Sequence, residues 1–331
     1  MSARVAVVGV GYWGKNLARN FAQLGALHTV CDGHGPTLDK IAALHRPVRA
    51  TRSYEEVLAE PEIAGVVLAT PAARHFEHAR AALLAGKDVF VEKPLALNEA
   101  DGRALLELAR ERGRILMVGH VLEYHPAVRL LMDLVERGEL GALRYVYSNR
   151  LNLGKVRTEE NILWSFAPHD ISIILSLLRA DPETVTASGG EYLTHGVADV
   201  TVSNLSFPNG VRAHIFVSWL HPHKEQRLVV VGDKKMAVFD DTAREGKLKL
   251  YDKGIEQRSG LLVARQTAET TLFFDETEPL RLECEAFLTA IADRKPPRTD
   301  GVNGLRVLRV LAACQASLEQ GGAPVKLGAP L

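Results

Sequence analysis

A run of glycines near the start of the chain has the spacing of a phosphate-binding turn. Its residues are Gly9, Gly11, Tyr12, Trp13 and Gly14, in the pattern G-x-G-x-x-G. An apolar stretch at residues 5–10 predicts a buried strand, and apolar side chains at helical spacing over residues 14–24 predict a helix. In that setting the glycines permit a tight turn, close approach of a pyrophosphate and packing of the helix on the strand. The helix N-terminus would offer N–H groups and a partial positive charge to the phosphates of a dinucleotide.

An acidic residue ends the next predicted strand. Asp32 follows the apolar residues 27–31 and lies eighteen positions after the last motif glycine. This position suits a carboxylate that accepts hydrogen bonds from the adenosine ribose and repels a 2′-phosphate. We therefore predict NAD rather than NADP as the cofactor. Arg46, Arg49 and Arg52 are possible phosphate partners, but none of them directly follows Asp32.

A lysine follows a further predicted strand at residues 88–92. Ligands of a doubly wound sheet bind beyond the carboxyl ends of its strands, so Lys93 could reach a substrate hydroxyl beside the nicotinamide. Its ammonium would stabilise an alkoxide, or its amine could act as a base if its pKa were depressed. Taken alone, Glu92-Lys93-Pro94 is more typical of a solvated turn.

The elements that must position these residues alternate through the first third of the chain. Short apolar runs predict strands at residues 5–10, 27–31, 63–70, 88–92 and 115–119. Amphipathic stretches between them predict helices, one of them beginning after Asn98, whose side chain could cap it. Continuous rather than alternating apolar strands indicate a parallel sheet with helices on both faces. We predict an α/β Rossmann domain over residues 1–122.

The pattern changes after about residue 125. Every second residue from Val211 to Trp219 is apolar, and the turn signal Pro208-Asn209-Gly210 precedes this stretch. Alternation of this kind indicates strands whose two faces are differently covered. We predict that residues 123–331 form an α+β domain with a large open antiparallel sheet, which binds substrate and mediates oligomerisation.

The composition argues against several classes of protein. Of 331 residues, 47% are hydrophobic, and 40 basic residues balance 40 acidic ones, so no basic excess favours nucleic acid or an anionic membrane surface. The three cysteines, Cys31, Cys284 and Cys314, are too far apart for a CxxC metal or disulfide framework. The apolar runs are too short for membrane insertion and no signal sequence opens the chain, so we expect a cytoplasmic protein without a metal.

Four segments together resemble the Gfo/Idh/MocA family of sugar and inositol dehydrogenases. They are the glycine run, Ala69-Thr70-Pro71 with His75, Glu92-Lys93-Pro94, and Trp164-Ser165-Phe166-Ala167-Pro168-His169-Asp170. The resemblance covers nearly the whole chain. It implies a group of residues that line the NAD site, namely Thr70, Pro71, His75 and Glu92. It also implies that Lys93 lies at the active site, beside the cofactor.

The family carries a second-domain histidine in the pattern D-x-x-x-H. His169 matches this histidine on a helix predicted at residues 168–178, and Ser165 replaces the aspartate. Ser165 can donate a hydrogen bond but cannot stabilise an imidazolium by charge. Asp170 need not compensate, because adjacent side chains on a helix point in different directions. The resemblance implies His169 as the base and Lys93 as the group that stabilises the oxygen, although either could accept the proton.

The segment before this helix, residues 149–157, is rich in cationic and amide side chains. Its cations could contact a diphosphate, and its amides could contact a sugar hydroxyl or acetamido group. Trp164 and Trp219 could stack on a sugar or uracil ring, although core packing suits a tryptophan better. The residues predicted to bind substrate are Arg150, Lys155 and Arg157 for the diphosphate, Asn152 and Asn161 for the sugar, and Trp164, Ser165 and His169 around them.

Residues 149–157 and 164–170 together resemble the branch of the family that oxidises nucleotide-linked amino sugars. The resemblance implies NAD-dependent oxidation of the C3 hydroxyl of UDP-N-acetylglucosamine to a 3-keto sugar. A pyridoxal-phosphate-dependent aminotransferase would then form a 2,3-diamino sugar for lipid A or surface polysaccharide. The alternatives are oxidation of UDP-N-acetylglucosaminuronic acid or of a free sugar or inositol, and a non-catalytic protein for which NAD is a regulatory ligand.

The second predicted sheet has one apolar and one mixed face. In the family the exposed face commonly forms the subunit interface, and an uncovered apolar face would be a liability in water. We therefore expect a homodimer or a homotetramer.

Overall fold

The computed structural model describes residues 3–154 and 156–329. Contacts within the chain divide it into two compact units, each with its own sheet. The first unit comprises the described residues up to Tyr124 together with Thr277–Leu308. The second comprises His125–Glu276 together with the described residues from Arg309 onward.

The helices and strands have the following bounds. The strands are β1 (Val5–Val8), β2 (Leu27–Cys31), β3 (Arg49–Thr51), β4 (Gly65–Leu68), β5 (Asp88–Glu92), β6 (Leu116–Gly119), β7 (Leu143–Leu153), β8 (Thr184–Gly190), β9 (Val200–Ser206), β10 (Arg212–Ser218), β11 (Leu220–Gly232), β12 (Met236–Asp240), β13 (Leu248–Arg258), β14 (Leu261–Leu272) and β15 (Val325–Lys326). The helices are α1 (Gly14–Gln23), α2 (Gly35–Leu44), α3 (Tyr54–Ala59), α4 (His75–Leu84), α5 (Glu99–Glu111), α6 (Pro126–Glu136), α7 (Ile162–Leu178), α8 (Pro279–Asp293) and α9 (Gly301–Glu319).

The sheet of the first unit has the strand order β3-β2-β1-β4-β5-β6, and its paired strands are parallel. The chain builds outward from β1 to β3 and then crosses to β4, so the order reverses between β1 and β4. Such a switch point is where an open α/β sheet binds its ligand, outside the carboxyl ends of the strands. Every residue of β1 and β4 is buried, which explains their continuous apolar sequence. The predicted parallel Rossmann sheet is confirmed.

Helix α8 belongs to the core of the first unit. The ring of Phe287 packs edge-on against Phe21 and Phe90, with centroids 6.5 and 5.6 Å away. A Cβ atom added to Gly65 would lie 2.9 Å from the side chain of Ile291, so the helix lies directly on the sheet. The predicted second domain, residues 123–331, thus includes a segment that the structure places in the first unit. The position of this segment along the chain does not reveal the sheet on which it packs.

The sheet of the second unit has the order β14-β13-β12-β11-β7-β10-β9-β8-β15. Its pairings are antiparallel except that of β7 with β10, which is parallel. The predicted sheet is therefore mixed at this point, because α7 carries the chain back across the sheet before β8 begins. The alternation in residues 211–219 is confirmed, since Val211, Ala213, Ile215, Val217 and Trp219 are all buried.

Helix α7 begins at Ile162, six residues before the predicted start at Pro168. The Asn161 side chain caps it by accepting a hydrogen bond from the Trp164 N–H at 3.2 Å. Pro168 lacks an N–H and so interrupts the helical ladder, but buried apolar residues on both sides of it hold the helix together. His169 consequently lies in the interior of the helix and not at its start.

Candidate active site

The glycine run forms a tight turn between β1 and α1. Gly9 has a φ of +83°, and an added Cβ would lie 2.7 Å from the carbonyl oxygen of Ala69. A Cβ on Gly14 would lie 1.8 Å from the Gly9 carbonyl oxygen, whereas one on Gly11 would meet nothing within 4 Å. Gly9 and Gly14 are thus required by packing, and Gly11 leaves open space for a ligand. Tyr12 and Trp13 remain 82% and 38% exposed at this turn.

The start of α1 fits a pyrophosphate. No side chain among the described residues caps this helix, and its first turn carries no acidic residue. The N–H groups of a first helical turn have no intrahelical acceptor, so they can bind anionic oxygens. This arrangement fits the phosphates of NAD, which would lie against the glycine turn.

Asp32 is fixed directly beside that turn. Its Oδ2 accepts from the Val10 N–H and its Oδ1 from the His34 N–H, each at 2.8 Å. Each carboxylate oxygen keeps a second lone pair for a ribose hydroxyl. Arg52, which sequence reasoning set aside, donates to the carbonyl oxygen of Gly33 at 2.9 Å and so places a cation next to this loop.

Asp32→Ala should weaken NAD binding by about 10- to 100-fold, the worth of one or two hydrogen bonds to a charged group. It should also reduce the preference for NAD over NADP, because the repulsion of the 2′-phosphate is lost while the Arg52 cation remains. Titrating both cofactors by protein fluorescence measures this. The double variant Asp32→Ala with Arg52→Ala is the control, and it should lose the gain in NADP binding. An unchanged preference in Asp32→Ala would remove this residue from the ribose site.

Glu92 connects the glycine turn to the strand that carries Lys93. Trp13 Nε1 donates to Glu92 Oε1 at 2.6 Å, and the Lys93 N–H donates to Oε2 at 3.3 Å. Burial raises the pKa of Glu92, although the Trp13 hydrogen bond and the Lys93 charge oppose the rise. The predicted contact of Glu92 with the cofactor stays a prediction. The contact with Trp13 was not foreseen, because 79 positions separate the two residues.

His75 is buried, and both of its ring nitrogens contact backbone carbonyls of the protein. It is 1% exposed, and its Nδ1 and Nε2 lie 2.7 Å from the Pro94 carbonyl and 2.9 Å from the Thr70 carbonyl. Burial lowers the pKa of His75, and a neutral ring donates to one of the two carbonyls at a time. The ring therefore joins the segments after β4 and β5 through its two nitrogens, and the predicted place of His75 in the lining of the NAD site stays a prediction. Contacts of NAD with Thr70 and Pro71 stay predictions.

In the second unit, α7 carries Ser165 and His169. These residues are four apart and so share a helix face, with Ser165 buried at 3% exposure and His169 half-buried. The adjacent Asp170 has other partners. It pairs with Arg150 through two hydrogen bonds of 2.9 and 3.0 Å and accepts from Ser148 Oγ at 2.6 Å. Asp170 is thus committed to Arg150 and Ser148, in line with the expectation that it need not compensate for the aspartate that Ser165 replaces.

Arg150 is a correction to the predicted diphosphate site. Its guanidinium is buried against Asp170 in a bidentate pair. Burial lowers the pKa of Arg150, but the charge and hydrogen bonds of Asp170 and the charge of Asp241 outweigh this and raise it. The charge of Arg150 is thus already balanced within the unit. Breaking this pair to bind a diphosphate would leave a buried carboxylate without its cation, which is costly.

Asn161 and Trp164 are also committed within the unit. Besides capping α7, Asn161 donates from Nδ2 to Gln315 Oε1 at 2.9 Å, and Trp164 Nε1 donates to the same oxygen at 3.0 Å. The predicted sugar contact of Asn161 is therefore replaced by a structural role that the sequence did not reveal, because Gln315 is 154 positions away. Trp219 is fully buried, in agreement with core packing.

Two of the predicted substrate residues keep groups that a ligand could use. The Oδ1 of Asn152 is buried and has no hydrogen-bond partner among the described residues. Gly154 leaves room for it, since a Cβ there would lie 2.7 Å from that oxygen. Arg157 is 43% exposed in its side chain and pairs with Glu160 at 2.9 Å. Lys155 lies outside the described residues.

The described residues provide no cluster of metal ligands and no membrane-spanning helix. Within residues 3–154 and 156–329, no group of three or more histidine, cysteine, aspartate or glutamate side chains could hold a metal ion. Over the same described ranges, no helix has the length and apolar character needed to cross a membrane.

A glycine turn at the switch point of a parallel sheet, with Asp32 beside it, defines the class of NAD-binding oxidoreductases. Comparison with known families agrees. Residues 3–120 match the oxidoreductase family with an NAD-binding Rossmann fold, and residues 128–238 match the Gfo/Idh/MocA C-terminal domain. The chain belongs to the Gfo/Idh/MocA family and uses NAD.

Known proteins resemble the chain over nearly its full length. UDP-N-acetylglucosamine 3-dehydrogenase from Acidithiobacillus ferrooxidans is 30% identical, with 96% of this chain and 97% of that protein covered. A solved structure of the enzyme superposes with a TM-score of 0.85 at 29% identity, covering 97% and 99% of the two chains. Myo-inositol 2-dehydrogenase from Thermotoga maritima is 25% identical, with 96% of each chain covered.

Proposed function

We propose that the protein oxidises the C3 hydroxyl of UDP-N-acetylglucosamine to a 3-keto sugar, with NAD as the acceptor. The observation that carries this proposal is the 30% identity with a UDP-N-acetylglucosamine 3-dehydrogenase over both units of the chain. The likeness to a myo-inositol dehydrogenase is weaker and supports a sugar or polyol alcohol as the substrate class in general.

Lys93 and His169 are the proposed catalytic residues. His169 accepts the proton of the C3 hydroxyl, and the Lys93 ammonium stabilises the negative charge that develops on the oxygen. NAD, when bound, accepts the hydride from C3. Atoms and charge balance, because the hydroxyl proton goes to imidazole, the C–H electron pair leaves as hydride, and a carbonyl forms. With a serine at position 165, the imidazolium gains no carboxylate one turn earlier on the helix.

The substrate would use the side chains that the second unit leaves available. The Asn152 oxygen has no hydrogen-bond partner among the described residues, and if its side chain turns outward it can accept from the acetamido N–H or from a sugar hydroxyl. Arg157, whose side chain is 43% exposed, could turn toward a diphosphate, at the cost of leaving Glu160, which is only 16% exposed, without its cation. Lys155 is retained as a proposed diphosphate contact, whereas Arg150 is not.

The proposal is tested by mixing purified protein, NAD and UDP-N-acetylglucosamine and following the absorbance of the reduced cofactor. A pyridoxal-phosphate-dependent aminotransferase with an amino donor removes the ketone, because the equilibrium opposes alcohol oxidation. We expect cofactor reduction that requires this coupling for extended turnover. Parallel assays with UDP-N-acetylglucosaminuronic acid and myo-inositol test the two enzymatic alternatives, and faster oxidation of either would replace the proposed substrate. Binding of NAD without turnover of any substrate would support the regulatory alternative.

The proposed product indicates which class of reaction would consume it. A 3-keto amino sugar is a substrate for transamination to a 2,3-diamino sugar, so we propose coupling to such an aminotransferase and a role in lipid A or surface polysaccharide synthesis. A homodimer or homotetramer in the cytoplasm remains part of the proposal. Light scattering of the purified protein measures the assembly state.

A further inference from the structure

A buried polar network lies at the end of β6 in the first unit. His120, the residue after this strand, is 2% exposed, and its Nδ1 lies 2.8 Å from Oδ1 of Asn303. The Asn303 amide nitrogen donates to Oε1 of Glu123 at 2.9 Å. Helix α9 therefore contributes a side chain that links the histidine to a carboxylate.

The network fixes the tautomer of His120. A carboxylate only accepts, so Asn303 turns its NH₂ toward Glu123 and its carbonyl oxygen toward the imidazole. Nδ1 of His120 must then carry the proton. Burial and the nearby Lys93 charge lower the pKa of His120 to about 4, against the Asn303 hydrogen bond. The ring is therefore neutral at neutral pH, and its Nε2 is an acceptor.

Strand register brings this acceptor next to the proposed catalytic lysine. β5 and β6 pair in parallel with Glu92 opposite Gly119, so Lys93 and His120 follow these partners at the same edge of the sheet. The Lys93 charge is strong enough at the imidazole to lower its pKa. Gly119 permits the arrangement, because a Cβ there would lie 2.8 Å from Oε2 of Glu92.

The other titratable groups around the network include three carboxyls, the phenol of Tyr124 and the thiol of Cys284. Glu92 ends β5, Glu123 accepts from Asn303, and Glu283 on α8 interacts with the charges of both. Glu283 is fully buried, with neither oxygen hydrogen-bonded among the described residues. Its burial, with the charges of Glu92 and Glu123, raises its pKa well above the usual value. A cationic imidazole in place of the neutral one would repel Lys93.

We propose that His120 is a positioning residue for Lys93. Its Nε2 accepts a hydrogen bond from the Lys93 ammonium and fixes the direction in which that group reaches the substrate oxygen. Asn303 and Glu123 hold the proton on Nδ1 and so keep Nε2 available. This inference rests on the proposed catalytic role of Lys93.

Two substitutions of His120 distinguish the role of Nδ1 from the role of Nε2. In His120→Asn the short amide can still donate to Asn303 but offers no acceptor at the Nε2 position. In His120→Gln the longer amide can place its oxygen there. We expect kcat to fall about 100-fold in His120→Asn, as for a misplaced catalytic group, and to recover to within about fivefold of wild type in His120→Gln. The exposed His195→Asn in the second unit is the matched control and should be unchanged.

A second readout needs no substrate. An amine-reactive reagent labels Lys93 at a rate that depends on the protonation of its side chain. Measuring this rate by mass spectrometry across a range of pH reports the pKa of that lysine. Loss of a hydrogen bond to the ammonium should lower this pKa by about one unit in His120→Asn but not in His120→Gln. In the wild-type protein, nitrogen NMR should show His120 as a neutral ring protonated on Nδ1, which also tests the inference if His120→Asn fails to fold.

Different results would overturn the role of His120 and the proposed activity of the enzyme. Equal activities of His120→Asn and His120→Gln, an unmoved labelling profile, or a ring protonated on Nε2 would overturn the role of His120 even in an active enzyme. If wild type turns over no nucleotide sugar, the proposed function fails instead. The labelling profile and the NMR tautomer then decide alone on the contact between His120 and Lys93.

Discussion

Replacing Lys93 with alanine should lower kcat by about 100- to 1,000-fold, the usual cost of losing one group that stabilises a developing oxyanion. The dissociation constant of NAD should change far less, because the glycine turn, the start of α1 and Asp32 provide the cofactor contacts. Stopped-flow measurement of hydride transfer and fluorescence titration of NAD separate the two effects. The quantity to compare is the fold-loss in kcat divided by the fold-loss in NAD affinity.

Two controls make this measurement specific. Lys295→Ala removes an exposed lysine elsewhere in the first unit and should affect neither quantity. Lys93→Arg keeps the charge but changes its shape and direction, so it should restore only part of the rate. A loss of NAD affinity as large as the loss of turnover would show that Lys93 serves the cofactor and not the reacting oxygen.

His169→Asn should reduce kcat by about 1,000-fold, within the range observed for a general base. In wild type, kcat should fall as the pH drops, because a protonated imidazole cannot accept the hydroxyl proton. This acid limb should disappear in His169→Asn, whose residual activity would depend little on pH in that range. A variant that retains the acid limb would assign the proton acceptor to another group, with Lys93 the first candidate.

Ser165→Asp provides the complementary test of the same residue. A carboxylate one turn before His169 favours the imidazolium, so the acid limb should move to higher pH and the base should become stronger. Ser165 is 3% exposed, so burying a charged aspartate there should also lower the free energy of unfolding. Ser165→Asn has a similar volume without the charge, and the comparison of the two variants isolates the electrostatic effect.

Local sequence accounts for the cofactor half of the candidate site. The turn requires glycine at Gly9 and Gly14 because backbone atoms fill the space of a side chain, and this requirement appears directly as a spacing motif. Asp32 is recognisable because it ends a strand at a fixed distance from that motif. Asn98 caps α5 as predicted, by accepting from the Asp101 N–H at 2.9 Å. A tight turn, a residue at the end of a strand and a helix cap each depend on residues that are close in sequence, so the sequence alone can reveal them.

Long-range pairing explains what the sequence could not reveal. Arg150 and Asn161 carry groups typical of ligand contacts, but Asp170 and Gln315 satisfy them within the second unit. Such partners are defined only when strands and helices have assembled. The His120 network was missed for the same reason, because its two links to Asn303 cross more than half of the chain. Composition cannot distinguish a satisfied polar side chain from an available one.

The ribosome must deliver almost the whole chain before the cofactor-binding unit can complete its core. Phe287 and Ile291 cover Phe21, Phe90 and Gly65, yet they are made more than 150 residues after the last strand of that sheet. A nascent chain that ends near Tyr124 would leave these apolar faces in water, a state prone to aggregation. An isolated N-terminal fragment should therefore be insoluble, and chaperone dependence during synthesis should exceed what the parallel sheet alone would require.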